Sequence, residues 1–160
     1  MSPQDIFQLL RETFGEQAVL EFVETGCDPF VVLDRSRLVE ICRFLRDDPR
    51  LDFAHLSLVT GLDWPEHFES VAHLVSYSHH HHLTVKVRMP KAEGEPRCPS
   101  LSPVWRAADW HEREQYDMLG IIYEGHPDPR RILMAEDWEG FPLRKDYVPP
   151  AEYNGVSNMP

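Results

Sequence analysis

The chain has 160 residues, 42% of them apolar, and 16 Lys/Arg against 27 Asp/Glu give it a net charge of -11. That length fits one domain able to bury roughly two thirds of its unfolded surface, and the acidic balance repels phosphate backbones, which speaks against a nucleic-acid partner. The longest charge-free run, residues 70–85, holds five histidines and three serines and is no spanning helix; the N-terminus lacks the basic start and apolar core of a signal peptide, so a cytoplasmic location is expected.

Ser2-Pro3-Gln4-Asp5 places a cap, a first-turn proline and an early acid ahead of Ile6, Leu9, Leu10 and Phe14, which predicts a helix closed by Gly15. Residues 18–25 and 30–33 are rich in β-branched and aromatic side chains and read as strands around a turn at 26–29. Asp34 can cap a second helix with Leu38, Ile41, Cys42 and Leu45 inward, ending before Pro49. In residues 51–62 the alternation puts Ala54, Leu56 and Leu58 on one strand face.

Residues 66–77 and 82–89 read as a β-hairpin. Its second arm sets Leu83, Val85, Val87 and Met89 against His82, Thr84, Lys86 and Arg88. Five prolines and glycines in residues 90–103 predict a mobile linker. Ser102-Pro103 then opens a third helix to Leu119, stopped by Gly120, with Trp105, Ala108, Tyr116 and Leu119 facing inward. A short strand at 121–123 follows, and the last thirteen residues read as a tail that orders only against a partner. The fold class expected is α+β, a small mostly antiparallel sheet with helices packed on one face and an extended C-terminal segment. In domain terms this divides the chain into an α+β domain (1–120), an extended charged segment (121–147) and a tail (148–160).

Chemistry-bearing residues offer little for catalysis. Cys27, Cys42 and Cys98 are odd in number and widely spaced, so neither a disulfide framework nor a CxxC pair is present. Three scattered thiols are also a poor ligand set for an iron–sulfur cluster. The run His79-His80-His81-His82 suggests a metal, but it falls on the expected hairpin tip, where neighbouring side chains splay, whereas a structural site draws ligands from separated positions. Arg113 and Asp117 are four apart and read as an intrahelical ion pair. His126 has no nucleophile or orienting partner in sequence, and no nucleotide-binding glycine loop exists.

The most unusual stretch is residues 112–147, reading ERE-QYDMLG-IIYEGHPDPRRIL-MAEDWEG-FPLRKDY. From Trp105 to Asp146 there are six Lys/Arg and ten Asp/Glu, with only short apolar runs. Composition alone is that of a solvated loop, but the order is specific. Glu112-Arg113-Glu114, Asp117-Met118-Leu119, His126 and Arg130-Arg131-Ile132-Leu133, followed by Trp138 through Tyr147, resemble the signature blocks of the 30-kDa subunit family of respiratory complex I. The chain departs from that pattern at Pro129, where the family often has an apolar residue and where proline removes a backbone donor.

The resemblance implies a peripheral-arm subunit of a proton-translocating NADH:quinone oxidoreductase on the cytoplasmic side of the membrane, touching the membrane only through the complex. It implies no cofactor in this chain, with FMN, iron–sulfur clusters and quinone held by partner subunits. It also implies packing against two of those partners, the quinone-site subunit and the one that holds the terminal iron–sulfur cluster. Arginines suited to bidentate pairing and Trp/Tyr anchors suit such contacts. On that basis Glu112, Arg113, Asp117, His126, Arg130, Arg131, Trp138, Arg144, Asp146 and Tyr147 are candidate subunit-interface residues, with Arg130, Arg131, Arg144 and Asp146 expected in salt bridges within the subunit or across its contacts. Catalytic and metal roles are assigned to none. The alternatives are the homologous subunit of a membrane-bound hydrogenase-type complex and a stand-alone histidine-rich metal-binding domain.

Overall fold

A computed structural model describes residues 1–24 and 28–157. Helix α1 (Pro3–Phe14) begins at Ser2, whose hydroxyl accepts from the Asp5 amide while the Asp5 carboxylate accepts from the Ser2 amide. Strands β1 (Val19–Val23) and β2 (Phe30–Leu33) follow; of the turn expected at 26–29, residues 26 and 27, including Cys27, lie outside the described residues. Asp34 caps a short 3-10 turn, Arg35–Arg37, that leads into α2 (Leu38–Asp47) with Leu38, Ile41, Cys42 and Leu45 buried. Strands β3 (His55–Asp63), β4 (His67–Ser76) and β5 (His81–Pro90) then complete a five-stranded sheet ordered β1-β2-β5-β4-β3. Within that sheet β2 and β5 run parallel and the other neighbours antiparallel.

The α+β class is thus the one expected, and β5 shows why it is readable. Leu83, Val85, Val87 and Met89 join Ile6, Ile41 and Leu45 in one core, while Lys86 and Arg88 on the opposite face pair with Glu69. Strand β3 corrects the expected register. A bulge between Leu56 and Leu58 breaks the alternation, so Leu56 and Val59 turn inward while Leu58 is 39% exposed and Ala54 is exposed. One extra residue in one strand exchanges its faces from that point onward.

Residues 90–103 are not a free linker. They contain a 3-10 turn and strand β6 (Arg97–Pro99), which pairs in parallel with β7 (Ile122–Glu124). Cys98 and Leu101 are buried. The third helix, α3 (Ala108–Leu119), starts six residues after Ser102 rather than at it, because residues 101–105 coil in tight turns that send the Trp105 indole N–H to the Phe53 carbonyl. Gly120 closes α3 in the left-handed conformation, as expected. The end of the chain folds back as a hairpin of β8 (Glu152–Tyr153) and β9 (Val156–Ser157). Tyr153 packs on Trp138 and donates to Asp137, so the tail through Ser157 has contacts within its own chain; residues 158–160 lie outside the described residues.

Candidate docking site

Helix α3 turns three polar side chains inward, Glu112, Gln115 and Asp117, and buried polar groups of this kind need partners waiting for them. Asp117 is the hub. One carboxylate oxygen accepts the amides of Ile132, Leu133 and Met134 at 2.9, 2.7 and 2.8 Å, and the other accepts from the Arg131 guanidinium at 2.7 Å. Burial alone would raise this carboxyl; the three amides and Arg131 outweigh it and hold it below the ordinary carboxylate range. Arg131 carries the link onward, donating to the Trp138 and Gly140 carbonyls at 3.0 Å each.

The intrahelical Arg113–Asp117 pair is therefore not formed. Arg113 turns instead to the carbonyls of Arg130 and Arg131, with Asp128 at 3.5 Å, because the buried Asp117 is already saturated by residues 14–17 positions downstream. Arg144 donates to the Leu119 carbonyl at 2.6 Å and lies over the rings of Phe68 and Phe141. A Cβ on Gly120 would fall 2.4 Å from that guanidinium and 2.5 Å from the Phe141 ring, so this position needs glycine for both its φ of 71° and its lack of a side chain. Two backbone bonds complete the seam: Leu143 to the Met118 carbonyl, and Lys145 to the buried Asp63 carboxylate.

Glu112 works at the other end of the helix. Its oxygens accept from the Ser100 hydroxyl and the Leu101 amide at 2.6 Å each, which pulls residues 100–102 onto α3. Burial pushes the carboxyl up to about 7 despite those two bonds. His126 sits 4.0 Å away, accepting from the Asp128 amide at Nδ1 and directing Nε2 to the Asp109 carbonyl at 3.0 Å. Both ring nitrogens are therefore occupied by backbone groups of the chain itself. Glu112, His126, Tyr116 and Tyr123 border a cleft of about 310 Å³, yet both reactive pairs of atoms, the carboxylate oxygens and the imidazole nitrogens, are engaged by the chain itself.

The ten sequence candidates thus separate. Asp117, Arg131 and Arg144 hold the segment to the body, Glu112 holds residues 100–102 to α3, and the buried Glu112 and Asp117 have no surface to offer a partner. Arg130 pairs with its neighbour Asp128, and Trp138 donates to the Tyr147 hydroxyl at 3.0 Å. Asp146 is exposed, and among the described residues neither it nor Arg144 forms an ion pair within the chain, whereas Arg130 and Arg131 do. Sequence reasoning missed Asp63, Phe68, Ser100 and Gln115. Nothing local marks them, because each meets its partner across a wide sequence gap; Gln115, for example, caps the Gly61 amide at 2.8 Å.

Of the histidine run, His79 and His80 lie in the β4–β5 turn and His81 and His82 open β5, and the alternate rings of His79 and His81 face the same way. Both rings reach the same loop, bonding the Pro49 and Leu51 carbonyls at 2.8 and 2.7 Å. Among the described residues no group of three His, Cys, Asp or Glu side chains is placed to hold a metal ion. No helix among them is long and apolar enough to cross a membrane.

The model of the family described as respiratory-chain NADH dehydrogenase, 30 Kd subunit, matches residues 31–153. The chain belongs to this family. It is 43% identical over 159 residues to the C subunit of NADH-quinone oxidoreductase from Chlorobium phaeobacteroides, covering 94% of this chain and 91% of that protein. The same subunit from Chloroherpeton thalassium is 40% identical over 158 residues, and there the match spans 94% of this chain and 62% of the relative. Among solved structures, the trypsin-resistant fragment of Nqo5 superposes with a TM-score of 0.62 at 29% identity, over 77% of this chain and 98% of the fragment. A chain of an archaeal membrane-bound sulfane sulfur reductase shares the fold, with a TM-score of 0.73 at 24% identity over 91% of this chain and 85% of that one.

Proposed function

We propose that this chain is a peripheral-arm subunit of a proton-translocating NADH:quinone oxidoreductase, on the cytoplasmic side of the membrane. In this reading it carries no redox group. It braces the subunits that form the quinone site and hold the terminal iron–sulfur cluster, while FMN, clusters and quinone reside in its partners. The observation that supports this best is the preformed segment 128–147, fixed in shape by Asp117, Arg131 and Arg144 yet still presenting Leu133, Leu143 and Asp146 outward. Leu133 and Leu143 are large apolar side chains held exposed on a rigid segment, which is surface a partner can cover. A shape set in advance also lowers the entropy lost on docking.

Purification of a tagged chain from its native membrane tests this reading. The expected companions are peripheral-arm subunits, with NADH:quinone reductase activity in the same fraction and lost when the chain is deleted. A solitary chain, or full activity without it, rejects the proposal. Arg144→Glu is expected to reduce assembly, and because Arg144 grips Leu119, Phe68 and Phe141 it is also expected to loosen the segment in the free chain.

A further inference from the structure

The segment 143–146 has two faces, and each lines a different cleft. Leu143 and Lys145 turn to one side, where they meet Leu62 and Trp64 at the end of β3 around a cleft of about 370 Å³. Arg144 and Asp146 turn to the other, where Glu139, Phe141 and Tyr147 border a second cleft of about 350 Å³. Leu143 and Asp146 are three residues apart, so their Cα atoms lie within about 11 Å. One partner element can therefore cover both clefts.

The first cleft is apolar and rigid. Leu62, Trp64 and Leu143 are 37%, 44% and 62% exposed, a grouping of large apolar side chains that single surface residues do not explain. Trp64 is fixed by its amide bond to the His67 carbonyl and by stacking on the His67 ring. The facing wall is pinned by the Lys145 amide on Asp63. The second cleft is acidic. Glu139 and Asp146 are exposed and neither is found in an ion pair among the described residues, while the Arg144 guanidinium beside them is spent on Leu119 and two aromatic rings. The Tyr147 ring next to those carboxylates suits the stem of a long cationic side chain.

Building on the assembly reading above, we propose that residues 62–64 and 139–148 form one docking surface for a segment of a partner subunit. That segment inserts a large apolar side chain between Trp64 and Leu143, and beside it a lysine or arginine between Glu139 and Asp146. Continuity with the preformed segment and the sign of the second cleft select this occupant over a second copy of the same chain, whose own net charge is -11.

The test uses the whole complex, recovered through a tag on this chain, with each free variant checked for folding by circular dichroism. Trp64→Ala and the double change Glu139→Lys/Asp146→Lys are each expected to lower recovery of companion subunits by at least about tenfold, as loss of an interface anchor does. Leu20→Ala is the control: Leu20 is 53% exposed on β1, the opposite edge of the sheet, and recovery is expected to stay at the wild-type level. Oxidative footprinting should in addition show Trp64 shielded in the complex and reactive in the free chain. Wild-type recovery with Trp64→Ala, or a reactive Trp64 in the complex, overturns this surface while leaving the assembly reading intact. Wild-type recovery with the lysine pair overturns the cationic prong. A tagged wild-type chain that brings down only further copies of itself overturns both readings.

Discussion

The sheet with its first two helices and the segment from His126 to Tyr147 are held in place by different forces. In the body, Ile6, Leu10, Ile41, Leu45, Leu74 and Leu83 are fully or almost fully buried in one apolar core. From the segment, Met134 packs against that core, and polar contacts make much of the rest of the attachment: Asp117, Arg131, Arg113 and Arg144, with the Leu143 and Lys145 amides on Met118 and Asp63 and the His126 ring on Asp109. Apolar burial is non-directional and tolerates repacking. A carboxylate gripping three consecutive amides tolerates no such drift, since the bonds weaken steeply with angle. The core therefore supplies the body with stability, whereas the polar clamps supply the segment with a single shape.

The sharpest way to break this contrast is Asp117→Ala. Removing a buried carboxylate strands a guanidinium and three amides, at a cost of about 3–5 kcal/mol. The loss is expected to be local: hydrogen exchange should accelerate across residues 128–147 while α1, α2 and the sheet keep their protection. Uniform acceleration would mean that the segment and body form one cooperative unit. Gly120→Ala comes next, adding a Cβ at 2.4 Å from the Arg144 guanidinium to the strain of a positive φ, roughly 1–3 kcal/mol for the backbone alone. It too should free the segment first, seen as proteolytic cleavage between α3 and Trp138.

Titration separates the two ends of α3 by sign. Asp117 is depressed below its ordinary value of 3.8, so its stabilisation is present above that pH and fades as pH falls through the lower folded value. Glu112 is raised from 4.5 to about 7, so the folded state favours its protonated form. The stability tied to Glu112 is complete below pH 4.5 and is lost as pH rises through about 7. Urea midpoints measured between these limits should fall with pH for the wild type, and Glu112→Gln should flatten that part of the profile. The smallest effect is expected for Trp138→Phe, which removes one part-buried bond to the Tyr147 hydroxyl, about 0.5–1.5 kcal/mol. Chymotryptic cutting after Tyr147 or Tyr153 should increase modestly.

Legibility in the sequence follows the range of the interactions involved. The caps of α1 at Ser2 and of α3 at Gly120, and the alternation along β5, depend on neighbours within a few residues and can be read directly. Strand β6 cannot be read that way, because its burial comes from pairing with β7, twenty-five positions away from Arg97 at Ile122. Arg113–Asp117 fails for a related reason: spacing of four permits an ion pair, but a buried carboxylate goes to whichever donors the tertiary fold brings closest. Of the docking site, the charged motif residues are visible in order, while their division into inward clamps and outward surface is not.

From its residues alone, this chain determined a single α+β layer, its helix boundaries to within a turn or two, and a C-terminal block whose order carries its family membership. Periodicity and capping act over one or two turns, and a linear reading captures them. Tertiary structure alone decided that β3 bulges, that Asp117 serves as clamp rather than surface charge, and that Trp64 and Leu143 share a cleft. Those outcomes depend on which distant groups compete for each buried donor and acceptor, and that competition exists only once the chain has closed on itself.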